Sequence, residues 1–283
     1  MMQLKKATRQ KVHLRLNLSG PSGSGKTMSA LRMAYGLCGN WEKIAVIDTE
    51  NGSASLYSHL GPFNVIDLAP PFSPERYIEA INACTSGGME VVVIDSSSHE
   101  WSGEGGCLEE IDRVSKLPAH KGNKWSAYSD VTPRHDRFVN KVLQCPAHVI
   151  TCTRSKTETD MIEVDGKKKV VKLGMKDIQR DGWEYELTVS LNIDRDTHLA
   201  TPSKDRTNLF EGKNPILITE ATGELIKQWC ETGSDPVVDA IKSAREATSI
   251  EELQSVWSAN TALHGNTEFK AVVSECKASL TSK

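Results

Sequence analysis

The stretch Gly20-Pro21-Ser22-Gly23-Ser24-Gly25-Lys26-Thr27 places three glycines, a lysine and a threonine within eight positions. Glycines let a backbone curl until several N–H groups converge on a small volume, and phosphate is the ligand that needs such convergence. In that geometry Lys26 meets the outer phosphates as a point charge and the Thr27 hydroxyl takes magnesium, with Met28 next in the turn into a helix. Asp95 ends the apolar run Val91-Val92-Val93-Ile94, where a carboxylate holds the same metal through water or caps a helix. Glu50 ends Val46-Ile47-Asp48-Thr49-Glu50. A carboxylate there orients or deprotonates an attacking water, unless it is a solvated loop residue. The ligands expected are ATP, or a close relative, and Mg2+.

Such a loop must lie between a strand and a helix, and the surrounding pattern supplies both. Val12 to Ser19 reads as the first strand, its apolar residues alternating with His13, Arg15 and Asn17, which predicts one face more covered than the other. A helix follows from Lys26 to about Cys38, then a strand over Lys43 to Asp48. Ser73-Pro74 opens a helix by capping and by proline at its first position. Met89 to Asp95 is a buried strand, Thr132-Pro133 opens a helix to about Gln144, and Ala147 to Thr153 is a fourth strand. This alternation is the rhythm of a parallel sheet with crossover helices. Met161 to Val171 then alternates around Asp165-Gly166, a hairpin signal, and Glu184 to Ile193 and Thr197 to Ser203 read as further strands. Thr232-Gly233-Ser234 reads as a linker dividing a core, 1–232, from a helical appendage, 233–283. In the appendage Asp235-Pro236 caps one helix, Ser249 and Glu252 box a second, and Thr267 to Leu280 forms a third.

The chain has 283 residues, 38% hydrophobic and 25% charged, with a net charge of −3. That balance argues against a generally basic nucleic-acid binder, so any such contact must come from local patches. No apolar run approaches the roughly 20 residues that cross a bilayer, and Met1 to Lys11 has no apolar signal core, so a cytoplasmic location is expected. Cys38, Cys84, Cys107, Cys145, Cys152, Cys230 and Cys276 form no CxxC pair and read as reduced thiols.

Val46-Ile47-Asp48-Thr49-Glu50, with Tyr57 seven positions beyond the glutamate, resembles the second-strand segment of RecA-like recombinases. The chain is closer still to phage-encoded RecA-like AAA-type ATP-binding proteins, which include single-strand-annealing ATPases. Supporting segments are His99-Glu100-Trp101, Gly105-Gly106-Cys107-Leu108-Glu109, Val131-Thr132-Pro133-Arg134-His135, Thr153-Arg154-Ser155-Lys156-Thr157-Glu158, Gln179-Arg180-Asp181-Gly182 and Ser203-Lys204-Asp205-Arg206-Thr207. The resemblance spans residues 12 to about 230. It implies an α/β fold, a RecA-like P-loop NTPase with a mainly parallel sheet flanked by helices, a β-hairpin insertion and a small C-terminal helical appendage.

By the same resemblance Glu50 is the catalytic base, Tyr57 packs on the nucleotide base, and Lys204 and Arg206 reach the γ-phosphate across a subunit interface. Two DNA-contacting loops are expected at about Trp101 to Ala127 and Thr157 to Met175. The first carries Trp101, His120, Lys121, Lys124 and Trp125, aromatics among cations that suit base stacking beside a phosphate track. The second carries Lys167, Lys168, Lys169 and Lys172. A solvated hairpin and a core-packing Trp101 are the plainer alternatives. Arg154 and Lys156 should lie near the γ-phosphate, or pair with Glu158. Two departures stand out. Cys152 occupies the place of a polar amide sensor, for which Thr151 or Thr153 would have to substitute. The eleven residues before the first strand look short for a polymerisation segment. The implied partners are copies of the chain in a ring or filament, single-stranded DNA and a single-strand-binding protein, with no membrane. The expected activity is Mg-dependent ATP hydrolysis, stimulated by DNA, in phage recombination or replication. A small-molecule kinase, a slowly hydrolysing nucleotide-gated binding module and a helicase or loader remain open beside it.

Overall fold

The computed structural model describes residues 12–164, 167–232 and 236–281; the side chains of 157–174 and 236 lie outside that set. The chain divides into two compact units, His13–Gln228 and one built on the chain from Trp229 onward. In chain order the first contains β1 (Arg15–Gly20), α1 (Lys26–Cys38), β2 (Ile44–Asp48), β3 (Asn64–Asp67), α2 (Pro74–Ser86), β4 (Val91–Asp95), α3 (Ser98–Ser102) and α4 (Cys107–Ser115). It continues with α5 (Lys124–Leu143), β5 (His148–Val164), β6 (Lys167–Asp177), α6 (Trp183–Glu186), β7 (Val189–Ile193), β8 (Leu199–Asp205) and β9 (Ile216–Leu217), and closes with α7 (Glu220–Glu231), whose last three residues are assigned to the second unit. The sheet order is β3-β2-β4-β5-β1-β7-β8-β9, with β6 off this path and paired to β5. Pairing is parallel from β3 through β7 and antiparallel at β7–β8, β8–β9 and β5–β6. This is the expected α/β fold: a mainly parallel sheet between helices, with a β-hairpin insertion.

Strand alternation sorts the core into two layers. Ala45, Ile47, Val92, Ile94 and Val149 pack with Tyr77 and Ile81 of α2 and with Phe138 and Val142 of α5. Phe138 also stacks on Trp183 at 5.8 Å. The other face is covered by α1, whose Leu31, Met33, Ala34 and Leu37 are buried. Each large side chain so buried contributes roughly 1.5–3 kcal/mol.

Several expectations need correction. The polar face of β1 is covered, not solvated: Arg15, Asn17 and Ser19 are all buried. Arg15 satisfies its guanidinium on the carbonyls of His13, Leu14, Leu143, Cys145 and Ala147. Asn17 bonds Thr151, Thr153, Asp177 and Ser190. The helix expected from Thr132-Pro133 begins at Lys124, capped by the Asn123 side chain, and Pro133 lies inside it. Residues 101–127 are therefore largely α3, α4 and the start of α5 rather than an irregular loop. Glu184–Glu186 coil into α6 before β7 begins. The hairpin is longer than Met161 to Val171, because β5 runs unbroken from the sheet into it.

In the second unit α8 (Pro236–Glu246), α9 (Ile250–Ala259) and α10 (Thr267–Thr281) bury Ala240, Ala244, Leu253, Phe269 and Val272. The Ser249 hydroxyl accepts the Glu252 N–H at 3.1 Å, and the Glu252 carboxylate reaches back to the Thr248 N–H at 2.7 Å. Among the described residues no helix is long and apolar enough to cross a membrane, and all seven cysteines are free.

Candidate functional site

The loop between β1 and α1 takes the form its glycines predict. A Cβ on Gly20 would lie 2.4 Å from Ser24 Oγ and 2.8 Å from the Ile193 carbonyl, so no side chain fits there. Gly25 caps α1 at φ 90°, in the left-handed region that glycine adopts without strain. α1 thus directs its N-terminus, with its unpaired N–H groups, into the loop. Lys26 folds back over it, its Nζ donating to the Gly20 and Pro21 carbonyls at 2.9 Å each. The β7–β8 turn leans on the loop from the other side: His198 Nδ1 donates to the Ser24 carbonyl at 3.0 Å, and Arg195 Nε lies 4.0 Å from where a Gly23 Cβ would stand. Neither residue carried a motif that would have marked it beforehand.

Opposite the loop, the carboxyl ends of β2 and β4 run in register, Asp48 beside Asp95. The Thr27 hydroxyl donates to Asp95 Oδ2 at 2.5 Å. Burial, reinforced by the Glu50 and Asp48 charges, pushes the Asp95 carboxyl up to about 6 even though Thr27 and Lys26 oppose the rise. The Asp95–Ser96 peptide is cis. The segment after Asp95 is tied to that after β2: Ser96 N–H donates to Thr49 Oγ1 at 2.8 Å, which also meets His99 Nδ1 at 2.7 Å. Asp48 shapes the turn that carries Glu50, its carboxylate accepting from Glu50 N–H at 2.6 Å and Ala54 N–H at 2.7 Å.

Glu50 itself is gripped by Arg154, Nε to Oε1 at 2.8 Å and Nη2 to Oε2 at 2.6 Å. Arg154 sits where β5 leaves the sheet, in register with Gly20. The Glu158 side chain, the alternative partner for Arg154 or Lys156, lies outside the described residues. Burial pushes the Glu50 carboxyl up, but the bonds and charge of Arg154 outweigh it and hold the group below the ordinary range. Cys152 faces the Asp95 side of the sheet and its buried thiol is pushed well above its usual value. Thr151 and Thr153, the alternatives to Cys152 as a sensor, point to the opposite face, where both hydroxyls bond Asn17 Oδ1. Beneath them Thr153 donates to Asp177, and a cleft of about 690 Å³ opens beside Gly20 and Pro21 between Asp177, Tyr185 and Arg195.

The residues proposed to contact nucleic acid separate. Trp101 packs against the cluster of Cys107, Ile111, Val114, Ala127 and Val131, its ring edge-on to His135 at 5.2 Å. It is partly buried against that cluster, the packing role weighed beside base stacking. His120 is likewise tied inward, to Ser126 at 2.8 Å and Asp130 at 2.9 Å. Trp125 is 86% exposed on the first turn of α5. Lys121 is exposed in the preceding turn, and Lys124 pairs with Asp112. The Lys167, Lys168 and Lys169 side chains lie outside the described residues. Tyr57 is half-buried on the 3-10 helix Ser53–Leu60. In this chain Lys204 donates to the Glu184 and Tyr185 carbonyls and Arg206 to that of Tyr185.

The donor set fits a magnesium nucleotide. Ser24 Oγ and Ser96 Oγ are buried without partners beside the loop and beside Asp95, and buried polar atoms left unpaired are costly. Thr27 and Asp95 supply the hard oxygen ligands magnesium prefers. No curated protein matches the chain. The family model for the AAA domain matches residues 13–216, and with most of its length so matched the chain belongs to the AAA-domain family of P-loop ATPases.

Proposed function

We propose that the protein is a magnesium-dependent ATPase that assembles with copies of itself and acts on single-stranded DNA, in annealing or remodelling during phage recombination or replication. The convergence of Lys26, Thr27, Asp95 and Glu50 at the carboxyl ends of β1, β2 and β4 carries the reading. Backbone N–H groups of Gly20 to Thr27 and the Lys26 ammonium would hold the phosphates, with Met28 and Tyr57 lining the rest of the nucleotide site. Thr27 and Asp95 would hold magnesium, which neutralises charge on the phosphate oxygens. Glu50 would orient a water for in-line attack on the γ-phosphorus and take its proton while the bond to the bridging oxygen breaks. Lys204 and Arg206 would meet the transferring group from a neighbouring subunit, and a finger in trans is worth roughly 10³–10⁵ in rate.

Support for DNA is the exposure of Trp125 next to Lys124, with Lys121 exposed in the preceding turn, together with the lysine-bearing hairpin and the family resemblance. Stacking on an exposed aromatic contributes about 1–3 kcal/mol per base. The test is twofold. Lys26→Ala should abolish Mg-dependent ATP binding and turnover; persistence of both overturns the nucleotide reading. Hydrolysis should rise with single-stranded DNA, and binding should weaken steeply with salt. Trp125→Ala should lower affinity at unchanged salt slope, and replacing Lys167, Lys168 and Lys169 together should flatten the slope. Equal affinity for single and double strands, untouched by either change, removes DNA from consideration.

A further inference from the structure

We infer that Arg154 is a γ-phosphate-sensing positioning residue: it latches Glu50 in the nucleotide-free site and is handed from that carboxylate to the terminal phosphate of ATP, so that the base is released only when the reacting group is present. The inference rests on the nucleotide reading above and deepens it.

The latch is bidentate, with both Glu50 oxygens taken by Nε and Nη2. A carboxylate so engaged is a poor proton acceptor, because protonating it would break two charge-assisted bonds. The backbone of Arg154 is fixed on both sides. Its N–H donates to Ser98 Oγ at 2.9 Å, and its strand position pairs with Gly20, the first residue of the phosphate loop. The guanidinium therefore works from an anchored strand end between the loop and Glu50. Lys26, Asp95 and Glu50 lie close enough to influence one another's charge, and Asp95 and Glu50 likewise act on Arg154. The terminal phosphate of a nucleotide held by Lys26 would enter that same cluster.

Magnitudes favour the exchange. The pair is partly open to water, Arg154 at 41% and Glu50 at 25% side-chain exposure. Exposed ion pairs shift an equilibrium by about fivefold or less. Charge-assisted bonds from arginine to phosphate shift it on the order of tenfold to a hundredfold. ADP carries no γ-phosphate and leaves the latch closed. A guanidinium serves better than an ammonium, because its planar fork fits carboxylate and phosphate alike.

The test is equilibrium binding of fluorescent ATP and ADP analogues with Mg2+, in an Arg154→Ala series with Glu50→Gln and the double variant. Arg154→Ala should weaken ATP binding about tenfold or more while ADP affinity stays within about twofold. Glu50→Gln should strengthen ATP binding by up to about fivefold, an effect that vanishes when Arg154 is already alanine. Arg154→Lys should recover only part of the preference for ATP. Equal losses for ATP and ADP, or an unchanged ratio, would overturn the exchange and leave Arg154 a structural partner of Glu50. If wild type binds neither nucleotide, or Lys26→Ala binds as wild type does, the nucleotide reading itself fails; that outcome is distinct from the first. Thermal melting of each variant without nucleotide separates these results from misfolding.

Discussion

Replacing Asp95 by asparagine should make the empty protein more stable while depriving it of its metal-dependent chemistry. Asp95 is 2% exposed, and its carboxyl is raised from an ordinary 3.8 to about 6, with burial the leading cause. At 1.36 kcal/mol per pH unit this rise is about 3 kcal/mol. The folded state holds the proton more tightly than the unfolded chain between those values. Wild type therefore loses stability as pH rises from about 4 to 6, and bears the full penalty above 6. Asparagine keeps the oxygen that accepts the Thr27 hydroxyl and carries no charge. In a chelating buffer at pH 7.5, without nucleotide, Asp95→Asn should melt about 6–12 °C above wild type, at 2–4 °C per kcal/mol for a unit of this size. At pH 4 the difference should close. Adding Mg2+ and ATP should raise the melting temperature of wild type and leave the variant unmoved. Thermal melts by circular dichroism across pH 4–8 read all of this. A variant melting at or below wild type at pH 7.5, or a gap that persists at pH 4, would refute the reasoning.

Two other outcomes are expected. His148, which accepts the Leu14 N–H at 3.1 Å, is held down to about 3, chiefly by burial, so folding excludes a proton that the unfolded chain takes up below 6.5. Its contribution is complete above pH 6.5 and falls by about 1.4 kcal/mol per unit below it, so His148→Gln should flatten the acid limb of stability against pH; because Asp95 drives stability the opposite way, each effect is read as variant minus wild type. For the fingers, Lys204→Ala with Arg206→Ala should bind ATP yet hydrolyse it very slowly, and mixing it with Glu50→Gln should restore activity at the interfaces that contain one intact set of each. Turnover independent of protein concentration, with no rescue although mixed assemblies form, would place both cations in cis or outside the reaction.

The phosphate loop was legible because its chemistry is local: glycine spacing, lysine and threonine suffice, and the strand before it and helix after it carry their own patterns. Asp95 and Glu50 were legible as carboxylates ending apolar runs. What escaped was set by partners distant in the chain. Arg154 and Glu50 are 104 residues apart, and only the fold brings the guanidinium to the carboxylate. The alternation of β1 read as a strand covered on one face more than the other because Arg15 and Asn17 are polar, yet their bonds to carbonyls, threonines and Asp177 let that face be buried as well. Pro133 read as a first helical position, which is where proline is best tolerated. The true start was marked by Asn123, whose side chain accepts from the Trp125 and Ser126 N–H groups. That signal was present in the sequence and weaker than the proline. The loop expected over Trp101 to Ala127 came from the resemblance rather than from local signals, and α3, α4 and the start of α5 occupy most of it.

One consequence of the long β5 is mechanical. The strand runs without a break from His148, inside the sheet, past Arg154 to Val164 in the hairpin. At about 3.3 Å per residue, the ten steps beyond Arg154 reach roughly 33 Å. The returning strand β6 ends at Asp177, which is bonded to Ser19, Asn17 and Thr153 at the mouth of the phosphate loop. Both arms of the hairpin are thus rooted in the residues that surround the nucleotide site, one at the guanidinium and one at the carboxylate beneath it. A load on the distal hairpin would reach those roots through hydrogen-bonded ladder, as torque on a clamped beam, with a single register shift between Glu158 and Thr159 as the place where it can yield.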